Sequence, residues 1–285
     1  MPTAKPKKKP RNKPTLAARA DRHELYEFAV QSVDAEIDFV DKTFRRLKGR
    51  TARVLREDFC GTANSSCEWV RRRPTNIAFG IDLDGPTLDW GMEHQVGRLR
   101  PAARPRVILQ QANVLNVRTK LAPDIVVAMN FSYFCFQTRE LLRSYFRHVR
   151  QTLARGGILI LDSYGGWESY REMTERRPIK PGPKGIGPFT YIWEQASYDP
   201  ITGRVMCHIS FKLRDGSKIR RAFTYDWRLW SLPEITELLG EAGFRNPTVY
   251  WEGTDPKTGD GNDVFKPAKN GDADQSFICY IVAEK

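Results

Sequence analysis

Three residues at the ends of two predicted strands have the types and spacing of a binding site for a ligand that contains ribose. Glu57 and Gly61 follow an apolar strand at residues 52–55, and Asp82 stands 21 residues beyond Gly61, where the next strand ends. A glycine in a turn between a strand and a helix lets a ligand approach the backbone closely. A carboxylate at the end of the next strand can accept hydrogen bonds from both hydroxyls of a ribose.

The elements that would position these residues alternate between strand and helix. Residues 25–49 have apolar side chains at steps of three and four, which predicts one amphipathic helix. Further strands are predicted at residues 76–81, 106–109, 124–129 and 158–161, with helices at 62–71, 86–98 and 141–153. Because these strands are apolar throughout, we expect a parallel sheet covered by helices on both faces.

The pattern changes after Gly166. We predict a polar helix at 167–177, a Pro/Gly-rich loop at 178–188, and strands at 189–194, 205–213 and 218–225, with a two-residue hairpin turn at Asp215-Gly216. A helix at 232–242, capped by Ser231, precedes strands at 247–251 and 277–283, which a mobile polar loop at 252–275 should separate. Residues 178–230 are therefore interpreted as an antiparallel insertion that lies over the sheet as a lid.

Several segments carry a resemblance to a known family. Residues 54–63 (VLREDFCGTA) resemble the first motif of class I methyltransferases that depend on S-adenosylmethionine (SAM), with Phe59 and Ala63 where glycines are usual. Residues 153–162 (LARGGILILD) resemble the family's junction between a helix and the fifth strand, and residues 277–283 fit its antiparallel seventh strand. A nicotinamide dehydrogenase is the main competitor, but it needs the three glycines of a G-x-G-x-x-G turn, and only one is present.

The resemblance implies a Rossmann-like α/β fold over residues 22–285, with a mostly parallel seven-stranded sheet, helices on both faces and a small antiparallel β insertion. SAM is the implied cofactor. In this alignment Glu57 takes the family's acidic position, Gly61 approaches the amino-acid portion of SAM, Asp82 binds the ribose and Leu83 packs on the adenine. The full set of implied cofactor-binding residues is Glu57, Phe59, Cys60, Gly61, Asp82, Leu83, Asn113, Val114 and Asn130.

The methyl acceptor should face the ends of the fourth and fifth strands. Tyr133 and Asp162 are the candidates to accept the proton that a nitrogen or oxygen nucleophile loses, and Tyr164, Trp193 and Arg228 are the candidates to bind the acceptor. Residues 130–133 (NFSY) are similar to the Asn-Pro-Pro-Tyr motif of amino-directed nucleic-acid methyltransferases, but both prolines are replaced. This departure argues against adenine methylation.

The net charge of +12 is concentrated near the start of the chain. Residues 1–22 contain eight lysines and arginines, four prolines and a single acid, Asp21. Such a composition cannot bury much apolar surface, so we predict a disordered basic tail over residues 1–21. It would solubilise the protein or contact RNA and anionic surfaces without sequence specificity.

The composition leaves three functions open. The five cysteines lack a CxxC pair, and no histidine has a partner at metal-ligand spacing. We therefore expect a cytoplasmic protein without a metal site. No apolar run is long enough to span a membrane. The leading hypothesis is methyl transfer to the nitrogen or oxygen of a small molecule. The alternatives are a methyltransferase for RNA or a ribosomal protein, and a SAM-binding module without catalysis. The sequence does not indicate an oligomeric state.

Overall fold

The computed structural model describes residues 13–182, 185–258 and 261–285. Its elements in chain order are α1 (Arg22–Val30), α2 (Val33–Lys48), β1 (Val54–Asp58), α3 (Asn64–Arg72), β2 (Ile77–Asp82), α4 (Gly85–His94), β3 (Val107–Gln111), β4 (Ile125–Ala128), α5 (Arg139–Thr152), β5 (Ile158–Gly165), β6 (Met173–Ile179), β7 (Phe189–Tyr198), β8 (Arg204–Leu213), β9 (Lys218–Arg228), α6 (Leu232–Glu241), β10 (Arg245–Thr254), β11 (Gly261–Ala268) and β12 (Phe277–Glu284).

The main sheet has eight strands in the order β11-β10-β12-β5-β4-β1-β2-β3. Strands β1 to β5 are parallel to their neighbours among themselves, whereas β12 is antiparallel to both β5 and β10. The carboxyl ends of β1 to β5 therefore share one edge of the sheet. The predicted fold class, a mostly parallel α/β sheet with an antiparallel late strand and a separate antiparallel β unit, is confirmed, but among the described residues the sheet has eight strands instead of the predicted seven because β11 extends its edge.

Successive residues of the central strands point to opposite faces of the sheet, as strand geometry requires. Val126 and Leu159 pack in one apolar cluster with α5, α6 and part of the antiparallel sheet. Ile125 and Ile158 pack in a second cluster with α2 and α3. Both faces are thus covered, which is why these strands contain so few polar residues.

Two strands lie where the sequence predicts none. The predicted polar helix at 167–177 is instead a short 3-10 helix, Trp167–Tyr170, followed by β6, and the predicted mobile loop at 252–275 contains β11. Both strands lie at sheet edges and are mostly exposed. Charged residues and a proline suit an exposed edge strand and remove the apolar alternation by which a strand is recognised. The antiparallel unit therefore begins at Met173, earlier than the predicted residue 178.

The single helix predicted for residues 25–49 is two helices. α1 ends at Val30, Gln31 has an extended backbone, and α2 begins at Val33. Leu25 and Ala29 of α1 pack against the antiparallel sheet, whereas the buried residues of α2 pack against the main sheet. The apolar spacing continues across the break, so only the two different packing partners reveal it.

The smaller sheet has the order β6-β7-β8-β9, and the strands predicted around Asp215-Gly216 form its β8–β9 hairpin. Four residues, Arg214 to Ser217, separate the two strands instead of the predicted two. The amide of Leu16 donates to Asp215 Oδ2 at 2.8 Å, and that of Ala17 donates to Ser217 Oγ at 3.0 Å. Of the predicted disordered tail, residues 1–12 lie outside the described residues, while residues 16 and 17 contact this hairpin. No helix in the described part of the chain is both long and apolar enough to cross a bilayer.

Candidate active site

The turn after β1 has the backbone of a glycine-rich turn although it contains one glycine. Gly61 has φ of 51°, and Phe59 and Ala63 have φ of 58° and 59°, in the left-handed region that favours glycine. These are the two positions at which the resemblance expects glycines. The backbone conformation is kept at both, at a cost of about 1–2 kcal/mol for each non-glycine residue. An added Cβ on Gly61 would meet no atom within 4 Å, so the space in front of the turn is open.

Helix α4 packs closely on this turn through Gly91. An added Cβ on Gly91 would lie 2.5 Å from the backbone oxygen of Thr62. We expect Gly91→Ala to push α4 from the turn and to lower the free energy of unfolding by about 2 kcal/mol, as overpacking does. Chemical denaturation measures this change.

The matched control for Gly91→Ala is Gly240→Ala, also in a helix. An added Cβ on Gly240 meets nothing within 4 Å. Alanine has the higher helix propensity, so this variant should be more stable by about 0.5–1 kcal/mol. Equal effects of the two substitutions would contradict the close contact at Gly91.

Asp82 connects the end of β2 to the same turn. Its Oδ2 accepts a hydrogen bond from the amide of Gly61 at 2.8 Å, and its Oδ1 accepts one from the amide of Asp84 at 2.9 Å. The next residue, Leu83, is 64% exposed, which is unusual for a leucine in an ordered turn. Gly61, Asp82 and Leu83 thus lie together at the carboxyl edge, as the sequence predicts.

Three other predicted cofactor residues lie beneath this edge. Glu57 Oε2 accepts hydrogen bonds from the amide and the hydroxyl of Ser66 at 2.8 and 2.6 Å, and burial raises the pKa of Glu57 to about 7. Cys60 is buried, and Val114 packs in the main apolar cluster. The side chains of Glu57 and Cys60 therefore support the turn from within, and Val114 is part of the core.

Asn113 and Phe59 are held by local contacts. Asn113 lies after β3, and its Oδ1 accepts a hydrogen bond from the amide of Leu115 at 2.9 Å. The ring of Phe59 is partly buried against the rings of Phe136 and Tyr145. Both residues stay near the predicted cofactor edge, and each has a structural contact of its own.

A contact that the sequence analysis missed places α1 across the turn. Glu27 Oε1 accepts a hydrogen bond from the Thr62 hydroxyl at 2.5 Å, and Oε2 accepts one from the side chain of Gln95 at 2.6 Å. Nearby, the Asn64 side chain donates to Gln31 at 2.9 Å. No sequence signal marks Glu27, because its partners are 35 and 68 residues away. Helix α1 therefore borders the site beside α4, which it also contacts through the hydrogen bond from Trp90 to Asp21 at 2.7 Å.

Asp162, at the end of β5, holds the segment that follows β4. Its two carboxylate oxygens accept hydrogen bonds from the amides of Asn130 and Phe131 at 2.6 and 2.9 Å. These two residues have φ of 56° and 57°, so the carboxylate stabilises a strained backbone. Burial raises the pKa of Asp162 to about 7, an effect that the two amides oppose.

Tyr133, the other predicted proton acceptor, is fully buried. Its hydroxyl donates to the backbone oxygen of Asp162 at 2.9 Å, and burial raises its pKa well above the usual range. It is not among the residues that line the cavity described next. The side chain therefore supports the Asp162 segment, and this geometry offers no route by which it would meet an acceptor.

A cavity of about 1030 Å³ lies beyond the carboxyl ends of β4 and β5. Its walls come from α1 and α2, the antiparallel sheet and the strands β10 to β12, and they include Asn130 and Asp162. Aromatic side chains form much of the lining, among them Phe131, Tyr164, Tyr191, Trp193, Tyr225 and Trp227. Seven acidic side chains and three basic ones also line it. Glu36 of α2 is one of these acids and was not predicted.

The three predicted acceptor-binding residues separate into two groups. Tyr164 and Trp193 line the cavity, so the antiparallel sheet provides one of its walls. Arg228 does not: its guanidinium lies 3.8 Å from the ring centre of Trp230 and forms a 2.9 Å ion pair with Glu234 on α6. Side chains alternate along β9, and Trp227 has the position that faces the cavity. Arg228 is therefore a structural contact to α6, contrary to the sequence prediction.

Comparison with known proteins gives matches in structure alone. No protein-family model matches the sequence, and no curated protein matches it. The fold is similar to a SAM-dependent methyltransferase from Clostridium acetobutylicum, with a TM-score of 0.65, 15% identity and coverage of 92% of this chain and 96% of that one.

Two further similar structures carry more specific titles. An amino pentose methyltransferase from Micromonospora echinaspora, involved in calicheamicin biosynthesis, has a TM-score of 0.65 at 15% identity, covering 92% of this chain and 95% of that one. A sugar N-methyltransferase from Streptoalloteichus has a TM-score of 0.63 at 16% identity, covering 100% and 98%. The chain has the class I methyltransferase fold over nearly its whole length, antiparallel sheet included.

Proposed function

We propose that this protein is a SAM-dependent methyltransferase that transfers a methyl group to a small-molecule acceptor. One observation carries the proposal: the Gly61–Asp82–Leu83 edge and the aromatic cavity lie at the same carboxyl edge of one sheet, where open α/β sheets bind ligands. The Gly61–Asp82–Leu83 edge could hold a nucleoside, and the cavity could hold an acceptor. The similarity to solved methyltransferase structures supports this assignment.

The residues at the edge fit SAM. The open space in front of Gly61 admits the amino-acid portion of the cofactor, and the exposed side chain of Leu83 offers an apolar surface to the adenine. Each oxygen of Asp82 accepts one backbone amide and keeps a second lone pair for a ribose hydroxyl. Asn113 would lie near the adenine and Asn130 near the methionine end. One glycine suffices here because SAM carries no phosphate for the turn to surround.

When bound, SAM supplies an electrophilic methyl carbon on a sulfonium. The protein itself positions the acceptor and excludes water from the site of transfer. Asp162 fixes the backbone of Asn130 and Phe131 at the cavity floor, and Trp193 and Trp227 provide apolar walls. Holding an acceptor in line with the methyl carbon provides much of the acceleration of such a displacement.

A cavity with walls on several sides favours a small acceptor over RNA or a folded protein. The functional test is to incubate the protein with methyl-labelled SAM and cell extract separated into metabolites, RNA and protein. We expect label in the metabolites. Label in RNA or protein alone would support the alternative acceptor, and SAM binding without transfer to any fraction would support a non-catalytic module. Binding of NADH but not SAM would overturn the proposal.

Asp82→Ala should weaken the binding of SAM and of its demethylated product. The variant loses the ribose hydrogen bonds, each about 1.5–3 kcal/mol to a charged acceptor, and also the amide contact that holds Gly61. We therefore expect the Kd to rise at least tenfold in calorimetric titration.

The control is Asp89→Ala, which removes the same charge from an exposed position on α4. Its SAM affinity should match that of the wild type. If Asp82→Ala binds SAM as tightly as this control does, the ribose assignment is wrong.

A further inference from the structure

Glu36 is the acid of the cavity with a buried carboxylate oxygen that has no partner in hydrogen-bond geometry in the described part of the chain, although the side chain of Ser65 lies close enough to lower the pKa of Glu36 against the raising effect of burial. It lies in the first turn of α2 and lines the cavity. Its Oε1 accepts a hydrogen bond from the amide of Ser32 at 3.3 Å. Its Oε2 is buried and has no partner in hydrogen-bond geometry among the described residues. A carboxylate oxygen left this way costs free energy, so an unpaired one beside a cavity points to a ligand that completes it.

The other buried carboxylates of this region are already occupied. Both oxygens of Asp162 accept backbone amides, and Glu57 is bound to Ser66. The charge of Glu36 acts on both of these groups and raises their pKa values, in each case after the larger effect of burial. The negative charge of Glu36 therefore adds to those of Glu57 and Asp162, and a cation bound in the cavity that Glu36 lines would relieve the repulsion between the three carboxylates.

The charge of the cavity also favours a cation, although the protein as a whole carries +12. Each of its three basic side chains already has a partner. Lys42 forms an ion pair with Asp38 at 2.9 Å, whereas Arg46 and Arg177 donate to neutral groups, the Tyr250 hydroxyl at 2.7 Å and a backbone oxygen of α1 at 2.6 Å. The seven acids outnumber them. The cavity is thus an acidic site within a basic protein.

The aromatic walls are suited to the same ligand. The rings of Tyr225 and Trp227 stack with centroids 4.4 Å apart, and the ring of Trp193 lies 6.3 Å from that of Trp227. The faces of such rings attract an ammonium group, and their apolar surface packs against its carbon substituents.

We infer that the acceptor is an amine and that the Glu36 carboxylate binds its nitrogen and takes its proton. The inference rests on the proposed function. The Glu36 carboxylate first removes a proton from the ammonium form of the acceptor, which frees the nitrogen lone pair. The nitrogen then bonds to the methyl carbon of SAM as the carbon–sulfur bond breaks and its electron pair stays on sulfur. The product is an N-methylammonium, and the proton on Glu36 returns to solvent.

The test compares Glu36→Gln with Asp34→Asn, which removes a charge two positions away on α2, where the side chain is 86% exposed. The probes are benzylamine, cyclohexylamine and their alcohol analogues, titrated into protein saturated with S-adenosylhomocysteine. The fluorescence of Trp193 and Trp227 in the cavity wall reports binding. We expect wild type and Asp34→Asn to bind the amines at least tenfold more tightly than the alcohols, and Glu36→Gln to lose that preference.

The outcomes are distinct. If the protein does not bind S-adenosylhomocysteine, the proposed function itself is wrong. A protein that binds it, but prefers no amine over its alcohol or keeps the preference in Glu36→Gln, overturns the inference about Glu36 alone. Glutamine has nearly the same shape and removes a buried charge, so the variant should fold, and an unchanged melting temperature verifies this.

Discussion

Trp193→Ala is expected to lower kcat/KM for methyl transfer about a hundredfold while leaving the affinity for SAM unchanged. Trp193 lies on β7, half-buried, and its side chain lines the acceptor cavity beside Trp227. Truncating a tryptophan that packs on a ligand costs about 2–4 kcal/mol, and each 1.4 kcal/mol is a factor of ten. The cofactor edge at Gly61 and Asp82 belongs to other elements, so its binding should not change.

The control for Trp193→Ala is Arg228→Ala in the same sheet. Arg228 contacts Trp230 and Glu234 instead of the cavity, so we expect a lower melting temperature and normal kcat/KM at a temperature where the variant is folded. Steady-state kinetics, SAM titration and thermal unfolding on both variants separate binding from stability. Normal turnover in Trp193→Ala, or loss of SAM affinity in proportion to turnover, would show that Trp193 does not contact the acceptor.

Asp162→Ala should destabilise the fold by about 3 kcal/mol and abolish measurable turnover. It leaves the amides of Asn130 and Phe131 without an acceptor in a buried place, and hydrogen bonds to a charged group are worth about 1.5–3 kcal/mol each. The two residues would also relax from their left-handed backbone, which costs about 1–2 kcal/mol per residue to maintain. Relaxation moves the cavity floor, so catalysis fails even where the protein is folded.

Two further variants make the Asp162 result specific. Asp162→Asn keeps one oxygen acceptor and should lose roughly half as much stability. Asp226→Asn removes an acid whose 2.6 Å ion pair with Arg204 is exposed, and such pairs contribute about 0.2–1 kcal/mol. Urea denaturation compares the three. An Asp162→Ala variant as stable as Asp226→Asn would mean that the Asn130–Phe131 segment holds its conformation without the carboxylate.

Local patterns were sufficient to predict the central sheet and one edge of the candidate site. The apolar strands and the turn at Gly61 each depend on residues within a few positions of one another, and Asp82 is recognised from its own place at the end of the next strand, 21 residues further on. The cap of α6 is equally local: Ser231 and Glu234 exchange hydrogen bonds across three residues, as their spacing predicts. Phe59 and Ala63 depart from the family pattern, and the structure shows that the backbone is unaffected.

Sequence patterns did not predict the strands whose exposure to solvent removes the alternation of apolar and polar residues. Strands β6 and β11 are exposed edges and carry no apolar alternation, so one was predicted as a helix and the other as a mobile loop. The prediction that Arg228 binds the acceptor differs from the structure for another reason. Its residue type suits an anionic acceptor, but only the register of β9 decides whether position 227 or 228 faces the cavity.

The sequence by itself determined the alternating strands and helices of the central sheet and the polar residues at the carboxyl ends of β1, β2 and β5, because short-range periodicity and turn residues encode both. Only the tertiary structure decided which side chains from distant segments complete the site. Glu27 reaches the glycine turn and Glu36 reaches the acceptor cavity because α1 and α2 pack against different sheets. The contacts of Glu27 and Glu36 depend on burial and on partners far along the chain, and no local sequence pattern indicates either.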